Sequence, residues 1–212
     1  MANSSRRSDL LLDRPADAPL TVAFAHGAGA PMDHPFMARV AEGIAAGGFR
    51  VARFEFPYMQ ARRRDGRKRP PDRAPLLRER LEEVALGLGT ATLVLAGKSM
   101  GARIAADVAD TLGVRGLIGF GFPFHAPGKP VGARADALKA MHVPTLILQG
   151  ERDPFGNRAD IAHYRLSGSV RIHYLTDGDH SLKPRKASGR TEEQNLAEAV
   201  AVAVDFLNRL VP

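Results

Sequence analysis

The sequence predicts an α/β protein: a mostly parallel sheet of about six to seven strands, helices on both faces, and no large lid. Three observations carry this. Strand-length apolar segments alternate with segments of helical spacing along most of the chain. The strand segments are continuous apolar runs rather than alternating ones, as expected where both sheet faces are covered. A length of 212 residues, 44% of them hydrophobic and 25% charged, suits one domain with a full core. Residues 1–212 are therefore read as a single domain, with 1–19 as an irregular N-terminal segment or an edge strand.

The elements follow in order. Leu20–Ala25 reads as a strand that ends at His26-Gly27-Ala28-Gly29. Pro35–Ala46 has helical spacing in Phe36, Met37, Val40 and Ile44, and Gly47-Gly48 stop it. Arg50–Phe56 is a strand closed by Pro57. The basic segment 62–73 reads as a loop because of Pro70, Pro71 and Pro75. Leu76–Leu88 is a helix with Leu77, Leu81, Val84 and Leu88 on one stripe. A strand then runs to Gly97, and a helix follows that ends near Gly113. Val114–Phe122 is a strand, followed by an irregular Pro/Gly loop and a short helix at Ala133–Met141. Pro144–Gln149 and Val170–Leu175 are the last strands, with a short helix at Arg158–Tyr164 between them. Thr191–Leu210 is the final helix, its core face assigned to Ala197, Val200, Val204, Leu207 and Val211.

The strongest chemical signal is Gly97-Lys98-Ser99-Met100-Gly101 at the junction of strand and helix. A serine on so tight a turn is held above the sheet edge at a helix N-terminus, and glycines two before and two after remove colliding side chains. A hydroxyl is a weak nucleophile near pH 7. It needs a base to take its proton and a carboxylate to orient that base. In an α/β sheet such groups belong on loops at the carboxyl ends of strands. Asp153 follows the Pro144–Gln149 strand, and His180 follows the Val170–Leu175 strand. The order Ser99, Asp153, His180 is the one a nucleophile elbow of this kind requires. Glu151 ranks second as the acid, and Asp177 and Asp179 read as residues that shape the histidine turn. His125 is a candidate pocket residue on the same edge.

The charge that develops on a carbonyl oxygen needs donors. The backbone N–H groups of Met100 and of Ala28, with Gly27 next, are the candidates for this oxyanion hole. No Gly-x-Gly-x-x-Gly or P-loop spacing is present, and His26, His34 and His180 lack compact metal-ligand spacing, so no cofactor and no metal are expected. The chain has no cysteine, which removes disulfides and thiolate chemistry. The apolar run Leu10-Leu11-Leu12 is too short for a signal-peptide core, and no stretch is long enough to cross a bilayer. A cytoplasmic protein without membrane attachment is expected; the sequence leaves the oligomeric state open.

Together, Gly97-Lys98-Ser99-Met100-Gly101, His26-Gly27-Ala28-Gly29, Gly150-Glu151-Arg152-Asp153-Pro154 and Gly178-Asp179-His180-Ser181 resemble the α/β-hydrolase superfamily. The resemblance covers nearly the whole chain from Leu20. It is nearest to the small, lidless dienelactone-hydrolase-like branch, which includes testis-expressed homologues. It implies that Ser99, Asp153 and His180 form a catalytic triad acting on a small ester or thioester. Dienelactone hydrolases proper use a cysteine nucleophile, and this chain has none, so their substrate does not carry over.

The net charge of +7 is concentrated in residues 62–73, where seven basic and two acidic residues leave only +2 for the rest of the chain. Arg62, Arg63 and Arg64, with Lys183 and Arg185 after the last strand, are candidate substrate-binding residues that would rim the site and favour an anionic substrate. The alternative is a non-catalytic scaffold that uses the same basic segment to bind a partner. No aromatics interleave these residues, which argues against nucleic acid.

Overall fold

The computed structural model describes residues 9–13, 17–129 and 132–211. Positions 1–8 and 14–16 of the predicted N-terminal segment lie outside the described residues. The strands are β1 (Leu11–Asp13), β2 (Thr21–Ala25), β3 (Arg50–Phe54), β4 (Leu93–Lys98), β5 (Gly116–Phe120), β6 (Thr145–Gly150) and β7 (Val170–Leu175). They form one seven-stranded sheet in the order β1-β3-β2-β4-β5-β6-β7, with β1 antiparallel to β3 and every other pair parallel. The helices are α1 (Pro35–Ala46), α2 (Pro57–Asp65), α3 (Ala74–Leu88), α4 (Met100–Leu112), α5 (Asp136–Lys139), α6 (Arg158–Ile161) and α7 (Glu192–Asn208).

The apolar runs are explained by two cores. On one face of the sheet, Phe54, Leu95, Leu117 and Ile147 pack with Leu77 and Leu81 of α3 and Ala102 and Ile104 of α4. On the other, Phe24, Val51, Val94, Ile118 and Leu148 pack with Val40 and Ile44 of α1 and Ala199, Ala203 and Leu207 of α7. Alternate residues of β2, β4 and β5 thus enter opposite cores, so their central positions are apolar and the polar residues, Thr21 and Lys98, stand at strand ends. Each fully buried Leu, Ile or Phe contributes about 2–3 kcal/mol relative to exposure.

Three sequence expectations need correction. The basic segment does not begin as a loop, because Arg62, Arg63 and Arg64 form the last turn of α2. Pro57 sits in the first turn, where its missing N–H is harmless, and the helix continues until Gly66 takes φ 71. The three arginines then lie where the helix dipole favours cations. The core face of α7 is also rotated from the expected stripe. Leu196, Ala199, Ala203 and Leu207 are buried, while Ala197 and Val211 are exposed. Val200 and Val204 instead lie against Gly43 of α1 and Gly47, which caps it, at the edge of the buried stripe. The helix expected at Ala133–Met141 is a 3₁₀ turn followed by the four residues of α5.

The β4–α4 junction has no spare volume. Ser99 adopts φ 52, the left-handed region, between the last residue of β4 and the first of α4. A Cβ on Gly97 would lie 2.2 Å from the backbone N of Ala102, and one on Gly101 would lie 2.5 Å from the carbonyl oxygen of Ala25. Both neighbours are backbone and cannot swing aside. Gly97→Ala is therefore expected to destabilise the protein by at least about 3 kcal/mol, the upper end for overpacking. A wild-type denaturation midpoint for this variant would contradict the packing described here.

Candidate active site

Four strand ends build the site. The turn after β4 presents Ser99, the loop after β6 presents Asp153, and the loop after β7 presents His180. The loop after β2 carries His26 to Met32 along the other side.

Asp153 is fully buried. Its Oδ2 lies 2.8 Å from His180 Nδ1, and His180 Nε2 lies 2.8 Å from Ser99 Oγ. A carboxylate only accepts, so His180 donates from Nδ1 to Asp153, which leaves Nε2 to accept the Ser99 hydroxyl proton. Asp153 is itself held in place. Gln149 Nε2 donates to Oδ2 at 2.9 Å and the Phe155 N–H donates to Oδ1 at 2.8 Å. Phe155 lies 4.3 Å, ring to ring, from His180 and limits how far the imidazole can swing.

The histidine turn is shaped by its flanking acids. Asp179 Oδ1 accepts from the N–H groups of Ser181 and Lys183. Asp177 accepts the Arg185 guanidinium and backbone N–H, and these bonds pull its carboxyl down to about 2. Glu151, the second-ranked acid, accepts from the Asp177 N–H and pairs with Arg158. It makes no bond to His180.

The candidate oxyanion donors flank Ser99. Met100 is the first residue of α4, so its N–H has no acceptor within the helix. Gly27 and Ala28 line the same cleft as Ser99 and His180. Their loop is pinned from below. The Phe56 N–H donates to the buried His26 Nε2 at 3.1 Å, and His26 Nδ1 donates to the Gly27 carbonyl at 2.7 Å. Burial holds His26 below the usual histidine range, consistent with a neutral ring that accepts and donates at once. The Tyr58 hydroxyl lies 2.9 Å from the Ala28 carbonyl, and Arg53 donates to the Met32 carbonyl at 3.0 Å.

The cleft has a volume of about 360 Å³. Besides the groups above, Ala30, Phe36, Met37, Phe155 and Lys98 line it. Its walls are thus mostly apolar, and it is small for a ligand site. Among the described residues, no cluster of three or more His, Cys, Asp or Glu is arranged to hold a metal ion.

The structure does not bring the expected cations into this cleft. Arg63 is bound to Glu55 and Asp33, Arg185 to Asp177, and Lys183 to Glu192. Arg62 lines a separate depression of about 190 Å³ with Arg63, Met59 and Glu55, and Arg64 is exposed on α2. The reason is local: Arg62 and Arg63 line the depression beside Glu55 rather than the Ser99 cleft, and acids elsewhere in the fold partner Lys183 and Arg185. His125 is buried, pairs with Asp160 and the Ala126 carbonyl, and does not line the cleft.

Four residues near the site escaped the sequence analysis: Lys98, Gln149, Tyr58 and Phe155. A polar residue ending the otherwise apolar β6 run was the available signal for Gln149, and the variable position inside Gly97-x-Ser99 was the one for Lys98.

Comparison with known proteins agrees with this architecture. A family model described as an alpha/beta hydrolase domain matches residues 18–208. Among solved structures, a serine hydrolase without a lid from Xanthomonas campestris superposes with a TM-score of 0.71, at 20% identity over 96% of this chain and 89% of that one. A dienelactone hydrolase from Anabaena variabilis gives 0.73, at 23% identity over 96% and 92%. An alpha-beta serine hydrolase homologue from Coxiella burnetii gives 0.68, at 22% identity over 92% and 89%. At these identities the likeness is one of fold.

Proposed function

The chain belongs to the alpha/beta hydrolase domain family, and from that premise we propose that it is a serine hydrolase of small esters or thioesters. The observation that carries this reading is the chain of two 2.8 Å hydrogen bonds running from Ser99 through His180 to Asp153. In the proposed reaction Ser99 Oγ attacks the carbonyl carbon as its proton passes to His180 Nε2. The carbonyl oxygen becomes an oxyanion that accepts from the N–H groups of Met100 and Ala28, with Gly27 as the next candidate. Collapse expels the alcohol or thiol, which takes the proton from His180. Water then loses a proton to the same nitrogen and attacks the acyl-serine; as the second oxyanion collapses, Ser99 Oγ leaves, takes the proton back from His180, and the acid is released. Asp153 stays ionised throughout and stabilises the imidazolium.

The small, mostly apolar cleft favours compact acyl groups. No helix among the described residues is long and apolar enough to cross a membrane; we place the reaction in the cytoplasm, with a small-molecule substrate and without nucleic acid. The test is a panel of p-nitrophenyl esters and acyl thioesters of increasing chain length, read alongside labelling by a fluorophosphonate probe. Short chains are expected to turn over faster than long ones, and the probe is expected to label the native protein. A protein silent to both would sink the proposal.

A further inference from the structure

The geometry points to Lys98 as a positioning residue that fastens the histidine loop to the nucleophile strand, a role that rests on the serine-hydrolase reading above. Lys98 ends β4 and directly precedes Ser99. Its Nζ donates to the backbone carbonyl of His180 at 2.8 Å. A side chain fixed to the serine's own strand thus grips the residue that takes the serine's proton, 82 positions away in sequence. The contact is close because Gly121 leaves room for it. A Cβ at Gly121 would lie 2.6 Å from the His180 carbonyl oxygen, 3.0 Å from Lys98 Nζ and 3.4 Å from His180 Nδ1. The ammonium and the imidazole therefore flank the same small space.

The rest of the surroundings exclude simpler roles. Among the described residues Lys98 is not half of a salt bridge: its Nζ donates to a carbonyl, and Asp153 and Asp179 act on it only through their charge. The Phe36 ring, 5.8 Å from Nζ, is its partner on the α1 side. Asp153, in the loop after β6, and Asp179, beside His180, are the anions that favour its charge, and the His180 ring is the other titratable neighbour. His34 shares the cleft wall; Phe36 and Gly121 do not titrate. Burial outweighs the two anions and pushes the lysine down to about 8.

The sign of that shift is informative. Between about pH 8 and the ordinary lysine range, the unfolded chain binds more protons than the native one, so stability rises with pH there. Holding the ammonium in place therefore works against stability. Charge strengthens its bond to the His180 carbonyl.

The test compares wild type with Lys98→Met and Lys98→Arg. On a short neutral ester, Lys98→Met is expected to lower kcat about tenfold with KM unchanged, since small displacements of reacting groups carry penalties of this order. Its melting temperature is expected to hold or rise. The wild-type kcat should decline above about pH 8 towards that of Lys98→Met, which should lack this limb. Lys98→Arg, which keeps a charged donor, should recover part of the rate. Amide hydrogen exchange over residues 176–183 should quicken in Lys98→Met, with the α-helices unchanged. An unchanged kcat, a fall that merely follows a lower melting temperature, or a KM effect confined to anionic esters would each overturn the role. If wild type hydrolyses no ester, exchange still decides the matter: unchanged protection of residues 176–183 in Lys98→Met removes the clamp on its own.

Discussion

Ser99→Ala should abolish turnover, lowering kcat by about 10⁴-fold or more, the order seen when a serine nucleophile is removed from such an assembly. Labelling by a fluorophosphonate should vanish with it. The fold should survive. The Ser99 N–H donates to the Phe120 carbonyl at 3.0 Å, and its own carbonyl accepts from the Arg103 N–H at 3.1 Å. Both bonds belong to the backbone and remain in alanine. The φ of 52 is borne by serine already, and alanine places its Cβ in the same position. The melting temperature should therefore stay close to wild type while activity disappears. The wild-type hydroxyl bonds His180 Nε2 at 2.8 Å, and alanine leaves that nitrogen facing the cleft. Esterase activity or probe labelling that persists in Ser99→Ala would move the chemistry to another residue and undo the proposed function.

The readable parts of this protein were those written in local sequence. The run Leu93 to Ala96 states a strand, Gly97 and Gly101 state the elbow, and Met100 to Leu112 states a helix, all within twenty positions. Asp153 and His180 could be named because chain order and strand ends leave few positions for an acid and a base. What could not be read depends on pairings between distant segments. β1 is three residues long, with Leu11 and Leu12 exposed, and it adheres to β3 where Arg53 grips Asp13 through Nε and Nη2. The sequence allowed an edge strand within 1–19, but nothing in the local pattern names β3 as its partner. Arg63 looked free because its acidic partners Glu55 and Asp33 lie outside the basic segment and approach only after folding. The α7 stripe was misjudged by part of a turn because an Ala/Val-rich helix has apolar residues on more than one side. Helix packing, here against α1, decides which of them the sheet receives.

The buried acid gives the sharpest test of the hydrogen-bond chain. Asp153→Asn keeps shape and removes one acceptor, so it probes tautomer rather than packing. Asp153 receives donors on both oxygens: Phe155 N–H on Oδ1, and Gln149 Nε2 with His180 Nδ1 on Oδ2. An asparagine has one oxygen to offer. The Phe155 N–H is fixed by the backbone, so the oxygen stays there and the new NH₂ occupies the Oδ2 position. That NH₂ meets Gln149 Nε2, itself a donor that also serves the Phe122 and Gly156 carbonyls, so this contact becomes repulsive. It also meets His180 Nδ1, and the only favourable arrangement there makes Nδ1 an acceptor. The imidazole proton then moves to Nε2, the nitrogen that must be empty to receive the Ser99 proton. A loss in kcat of about 10⁴-fold is expected, as for the same change in a serine-protease triad. Stability should fall as well, by about 1–3 kcal/mol, because a fully buried site now holds two opposed donors. The assay temperature separates the two effects. Measured well below its own melting transition, where Asp153→Asn is fully folded, the variant should still be about 10⁴-fold slow, because the misplaced imidazole proton does not depend on global stability. Near-wild-type turnover in folded Asp153→Asn would mean that Asp153 acts by packing alone, and the hydrogen-bond chain would lose its place in the mechanism.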